Sequence, residues 1–99
     1  MDSEVRDLSW IGDAVLALCA RNWIIAHESG LHGSRHDLFR ELTCNDFLAS
    51  FGPPTLVEAE LGRIYRDEGL EGARQHFETR LVPVFLKQQG NRNPAAKRR

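Results

Sequence analysis

The segment Leu8-Ser9-Trp10-Ile11-Gly12-Asp13-Ala14-Val15-Leu16 opens a mostly apolar stretch that runs to Ile25, and it constrains the fold more than any other part of the chain. Leu8, Ile11, Val15 and Leu18 recur at helical spacing. Ala14, Leu16, Ala17, Cys19, Ala20 and Trp23 fill most of the remaining circumference, which predicts a central, buried helix. Gly12 and Asp13 break that surface together. An isolated buried carboxylate is too costly to keep, so Asp13 must be solvated, paired or bound to a cation. The predicted helix starts from an N-cap at Ser3, with acidic residues in its first turn, and ends between His27 and Gly30.

The remaining segments also read as helices. Ser34, with Asp37 three residues on, caps a short helix through Leu42. Asn45 caps another over residues 46–51, which Gly52 ends. Pro53-Pro54 forms a rigid corner. Thr55-Leu56-Val57-Glu58 has the form of a capping box and opens a helix to about Asp67, before Gly69 breaks the chain. A last long helix starts at Leu70 or Glu71, with Ala73, Phe77, Leu81 and the Val84-Phe85-Leu86 run facing inward. Pro83 is expected to kink or restart it. No segment alternates as a strand does, so the fold class is an all-α bundle. Residues 1–89 form the helical domain, and residues 90–99 are expected to be a disordered basic tail.

Ninety-nine residues make one small domain, of a size for which association is a common source of stability. The last nine residues carry +4 against a net charge of −1, which leaves −5 on residues 1–90. Such an acidic body excludes a generic nucleic-acid binder, whose footprint is a basic face. Cys19 and Cys44 form no CxxC pair and read as reduced thiols. Asp2, Glu4 and Asp7 stand where a secretory signal would be basic, and the apolar run is too short and too interrupted to span a membrane. The expected location is cytoplasmic.

On the first helix Asp13 shares a face with Asp2, Arg6, Ser9, Ala17, Ala20 and Ile24. Gly12 beside it allows a neighbouring backbone to come close, and Gly62 does the same on the helix of Glu58. Two helices crossing at these glycines would bring Asp13 and Glu58 to one divalent cation, and Mg²⁺ commonly sits on one or two carboxylates. Two structural alternatives stand beside this: Asp13 pairs with Arg6 or another cation, or Glu58 is the reciprocal residue of the Thr55 cap.

Four ordered stretches resemble the ribonuclease III domain family. Leu8 to Leu16 is similar to its signature segment. Leu42-Thr43-Cys44-Asn45 resembles a segment ending in Ser-Asn. Glu58-Ala59-Glu60-Leu61-Gly62-Arg63-Ile64-Tyr65 resembles its Glu-Ala-Leu-Ile-Gly-Ala-Ile-Tyr segment. Residues 66–73 resemble the family's next stretch, directly C-terminal to that segment. Together they cover most of residues 5–88. The resemblance implies a ribonuclease III-type helical bundle, shortened here, acting as a homodimeric, Mg²⁺- or Mn²⁺-dependent endoribonuclease on structured or double-stranded RNA.

Of the family's four acidic positions, Asp13 and Glu58 match two. Ser9 and Thr55 stand at the others, and Arg6 falls near a further acidic position. That pattern is closest to the Mini-ribonuclease III branch, which lacks a double-stranded-RNA-binding domain. It implies Asp13 and Glu58 as catalytic and metal-holding residues, with Ser9 and Thr55 as outer-shell groups. Trp10 matches an aromatic that enters a pocket of the other subunit; the other reading of a Trp near the start of a buried helix is local core. The alternative is a catalytically degenerate module of the same fold, used for RNA binding or dimerisation in a ribonucleoprotein. The connection Gly52-Pro53-Pro54 is shorter than the family's and bears on the RNA-facing surface. Arg35, His36 and Arg40, with His27, form a mildly basic patch that either contacts phosphate weakly or is a solvated face paired with Asp37 and Glu41. Tyr65 and Trp23 read as core.

Overall fold

A computed structural model describes residues 2–92, and these residues are helical with no strand. Helix α1 spans Ser3–His27 and runs into a tight turn, Glu28–Gly30. Helices α2 (Arg35–Thr43) and α3 (Asn45–Leu48) come next. Helix α4 spans Pro54–His76, a π-helical turn covers Phe77–Leu81, and α5 is the last described element, Val82–Arg92. The principal contact of the fold is α1 against α4, and α2 packs on α1.

Several local expectations hold for the physical reasons given. Ser34 accepts the Asp37 N–H at 3.1 Å and caps α2. Gly52 has a positive φ of 138° but does not end a helix, since α3 stops at Leu48; Gly69 adopts a φ of 77°, which L side chains rarely tolerate. Gly69 thus breaks α4 into two helical segments. The π-turn ends two residues before Pro83, whose missing N–H interrupts the helical ladder.

Other expectations need correction. The cap of α1 is Asp2, whose carboxylate accepts the Glu4 N–H at 3.1 Å, and not Ser3. Asn45 lies inside α3, which is a single turn ending at Leu48 and is preceded by Cys44. Helix α4 begins at Pro54, whose fixed φ suits a first helical position, so Thr55 is already inside the helix and no side chain caps it. The Thr55–Glu58 capping box therefore does not form. Helix α5 runs on through Gly90 to Arg92, so the expected tail does not begin at residue 90; its remainder, residues 93–99, lies outside the described residues. The stretch Ser3–Gly30 is also long and apolar enough, by length and composition, to cross a membrane, contrary to the reading of a run too short to do so. The core helix of a soluble bundle meets the same description, and α1 packs one face against α4.

The core forms where Leu16 and Ile24 of α1, Leu38 and Leu42 of α2, Phe77 of the π-turn and Phe85 of α5 meet, all almost fully buried. Each such side chain contributes about 1.5–3 kcal/mol of transfer free energy. Trp23 meets Phe85 edge-to-face at 5.9 Å, and Phe47 meets Phe85 in the same manner at 6.2 Å. Gln89, 8% exposed, ties α5 to the loop before α2: its amide donates to the His32 carbonyl at 3.0 Å and accepts the His32 N–H at 3.3 Å.

The first helix is not buried all round. Its packed face is Gly12, Val15, Leu16, Cys19, Ala20, Trp23 and Ile24. Trp10, Ile11, Ala14, Leu18 and Ile25 face outward, so Ile11 and Leu18 of the predicted stripe are not core in the single chain. Leu86 and Tyr65 are exposed as well, whereas Trp23 is buried as expected.

Candidate functional site

The site begins with two glycines. A Cβ on Gly12 would lie 1.7 Å from the Glu58 carbonyl oxygen and 3.0 Å from the Gly62 nitrogen. A Cβ on Gly62 would lie 2.1 Å from the Leu8 carbonyl oxygen. Backbone therefore touches backbone where α1 crosses α4, a separation that only glycine permits at both positions. Asp13 follows Gly12 in sequence, and Glu58 lies one turn before Gly62. The crossing places their carboxyls against each other, close enough to share a hydrogen bond.

Helical spacing assembles the rest. Arg6, Ser9, Trp10 and Asp13 recur at three- and four-residue intervals and share one face of α1. Thr55 and Glu58 are one turn apart on α4. These six residues and Asp7 line one open concavity of about 660 Å³. All four residues assigned to the site from sequence, Ser9, Asp13, Thr55 and Glu58, are thus brought together. Ser9 Oγ donates to Glu58 Oε1 at 3.4 Å, a long hydrogen bond. The carboxylate of Glu58 is turned toward α1 and does not reach back to cap its own helix.

The electrostatics of the pair stem from this geometry. Glu58 is half-buried, and its carboxyl is pushed up from 4.5 to about 7. Loss of solvation is the largest cause; the hydrogen bond and the negative charge of Asp13 add to it, and the Ser9 hydroxyl opposes it. No salt bridge reaches Asp13 or Glu58 among the described residues. The expected alternative of an Asp13–Arg6 pair does not form. Two carboxyls in contact, with hydroxyls beside them and, among the described residues, no arginine on either, offer a hard-oxygen donor set. Such donors suit Mg²⁺ or Mn²⁺ and not a soft cation. Among the described residues no group of three or more His, Cys, Asp or Glu side chains converges in metal-binding geometry, so the protein supplies this pair and little else. An ion held there would keep several waters, as Mg²⁺ commonly does.

The basic patch lies elsewhere. Arg40 pairs with Asp37 at 3.3 Å, as the solvated-face alternative has it, whereas Arg35 pairs with Glu28 at 2.6 Å, an acid that alternative did not include. Arg35 and His36 line a separate groove with Arg21, whose guanidinium lies 4.5 Å from the Phe39 ring centre. None of Arg35, His36 and Arg40 reaches the Asp13–Glu58 concavity.

Trp10 is 82% exposed at the edge of the site. It also borders a second concavity of about 530 Å³, whose wall includes Ile11, Leu18, Tyr65 and Leu70. Asp13 lines both. The sequence reading assigned Ile11, Leu18 and Tyr65 to the interior and so missed this apolar surface. Its signal was a first helix with more apolar circumference than one small domain can cover. No protein-family model matches the chain, no curated protein matches it, and no solved structure matches its fold.

Proposed function

We propose that this protein is a divalent-metal-dependent endoribonuclease of the ribonuclease III type, cleaving structured or double-stranded RNA. The observation that carries this reading is the Asp13–Glu58 pair, held across a glycine–glycine helix crossing and left without an arginine partner among the described residues. A structural carboxylate pair is normally neutralised by a cation from the protein, because two unpaired acids in contact destabilise the fold. The ordered sequence resemblance and the meeting of Ser9, Asp13, Thr55 and Glu58 in one concavity support the same reading.

Asp13 and Glu58 would hold Mg²⁺ or Mn²⁺. An ion of that kind supplies neutralisation of phosphoryl charge and activation of water at neutral pH. Glu58 must give up its proton before it can act as a ligand, so function requires the charged pair. Ser9 steadies Glu58 through its hydrogen bond, and Thr55 adds a hydroxyl on the same wall.

The protein acts as a homodimer through the surface bordered by Trp10, Ile11, Leu18, Tyr65 and Leu70. Exposed apolar side chains gathered on one face, with an aromatic anchor among them, favour a self-complementary contact. Cys19 and Cys44 are free thiols, which fits a cytoplasmic protein. A second reading is a catalytically degenerate module of the same fold that binds RNA or dimerises within a ribonucleoprotein. The hydroxyls at positions 9 and 55, and the small number of acidic donors among the described residues, favour it.

Incubating the protein with a long RNA duplex in Mg²⁺, Mn²⁺ or EDTA, beside Asp13→Asn, separates the readings. Cleavage that needs both metal and Asp13 supports the nuclease. Intact RNA with a folded, dimeric protein supports the module.

A further inference from the structure

The concavity that holds the two carboxylates has a single cationic side chain in its wall, Arg6. Arg6 lies one helical turn from Ser9 and Trp10 and two turns from Asp13, on their face of α1. Its side chain is exposed and makes no salt bridge among the described residues, although Asp7, Asp13 and Glu58 line the same space. Most arginines nearby behave otherwise. Arg63 binds Glu60 at 2.5 Å, and Arg66 binds Glu4 at 3.4 Å and Asp67 at 3.3 Å. An arginine left open beside two unneutralised acids is placed to meet an incoming anion. Its planar fork suits two phosphate oxygens.

We propose that Arg6 is the phosphate-holding residue of this site: it takes a backbone phosphate of the RNA while Asp13 and Glu58, which would hold the divalent ion, face the neighbouring phosphodiester. The inference rests on the nuclease reading above for the role of the two acids. It answers a difficulty in that reading, because residues 1–90 carry −5 and the RNA backbone is itself an anion. A cation inside the acidic concavity gives the substrate a local anchor that the body as a whole does not. The mildly basic Arg35–Arg40 patch is not needed for this contact, and two of its members are already paired.

The test uses the full chain and a labelled RNA duplex. Binding is followed by anisotropy in Ca²⁺ over a range of salt concentrations, and cleavage is measured in Mg²⁺. Arg6→Ala, Arg6→Lys and, as a control for loss of any exposed cation, Arg80→Ala are compared with wild type. Arg80 lines a different groove. Arg6→Ala is expected to weaken binding roughly 5- to 10-fold and to lower the salt slope by about one. It should raise KM by a similar factor with a much smaller change in kcat. Arg6→Lys should restore the salt slope, and Arg80→Ala should leave it unchanged.

Wild-type cleavage with KM and salt slope untouched by Arg6→Ala overturns the inference and leaves the nuclease standing. Equal losses in Arg6→Ala and Arg80→Ala also overturn it, since the effect is then net charge alone. Wild-type protein that binds no duplex overturns it too. Binding weakened by Arg6→Ala in a protein that never cleaves supports the phosphate contact and refutes the nuclease.

Discussion

Replacing Gly12 with alanine should both destabilise the bundle and disconnect the two acids. The added Cβ would lie 1.7 Å from the Glu58 carbonyl oxygen and 2.6 Å from its carbonyl carbon, whereas ordinary contact begins at 3.4 Å. Relief therefore requires a local displacement of about 1.7 Å, the difference between those two distances. Both obstructing atoms are backbone, so no side-chain rotation provides it. Helices α1 and α4 must move apart along their principal contact, which opens gaps around Leu16 and Leu61. Overpacking usually costs about 1–3 kcal/mol, and a backbone clash belongs at the upper end. At ~3 kcal/mol, and about 4–8 °C per kcal/mol for a domain of this size, Gly12→Ala should melt roughly 12–24 °C below wild type. The same displacement carries Asp13 away from Glu58, so the Glu58 carboxyl should titrate closer to 4.5 than to 7.

Differential scanning calorimetry reads the first effect, and a carboxyl-resolved NMR titration reads the second. Gly90→Ala is the control. Gly90 lies in α5 with nothing within 4 Å of an added Cβ, so alanine there should be neutral or stabilise by up to about 1 kcal/mol. A Gly12→Ala protein that melts with wild type, or whose Glu58 still titrates near 7, would refute the glycine-contact argument.

Two further predictions concern the site and its border. Folding raises the Glu58 pKa, so the folded state holds that proton more tightly than the unfolded chain. Stability from this group is greatest below about 4.5, falls as pH rises toward about 7, and is level above that. The unscreened effect is ~3 kcal/mol, and solvent access to the pair reduces it to about 1 kcal/mol. Glu58→Gln should therefore match wild type near pH 4.5 and exceed it by about 1 kcal/mol at pH 8 in metal-free urea unfolding; equal stability of the two proteins at pH 8 would contradict the raising of the Glu58 carboxyl by burial and by Asp13. Trp10→Glu should turn a dimer into a folded monomer by sedimentation velocity, because Trp10 is 82% exposed and not part of the core; a wild type that sediments as a monomer would remove the interface.

The sequence carried the all-helical class and the position of most breaks because these depend on local chemistry. Gly69 and Ser34 act within one or two turns, and each does in the structure what its residue type demands. The meeting of Asp13 and Glu58 was legible for a related reason: Gly12 and Gly62 are the only residue type that lets two helical backbones touch. Other features depended on competition between neighbours. Thr55 and Glu58 have the spacing of a capping box, but Pro54 starts the helix two residues earlier than that box requires, and Ser9 of a distant segment takes the carboxylate. The open face of α1 was hidden for a different reason. Periodicity says which residues are apolar, not how much partner surface exists, and this chain lacks enough to cover Ile11, Leu18 and Tyr65. That Arg6 makes no salt bridge among the described residues was invisible for the same kind of reason, since pairing with Asp13 was equally allowed by the spacing.

The most direct test of the account is the titration of the Glu58 carboxyl by NMR, with and without Mg²⁺. In metal-free buffer its resonance should titrate near 7, and Asp13→Asn should bring it down toward 4.5. Saturating Mg²⁺ should also lower it, with release of a proton, because the ion binds only the charged pair. A Glu58 carboxyl that titrates near 4.5 in wild type and is indifferent to Mg²⁺ would mean that the two acids neither face each other nor share a cation.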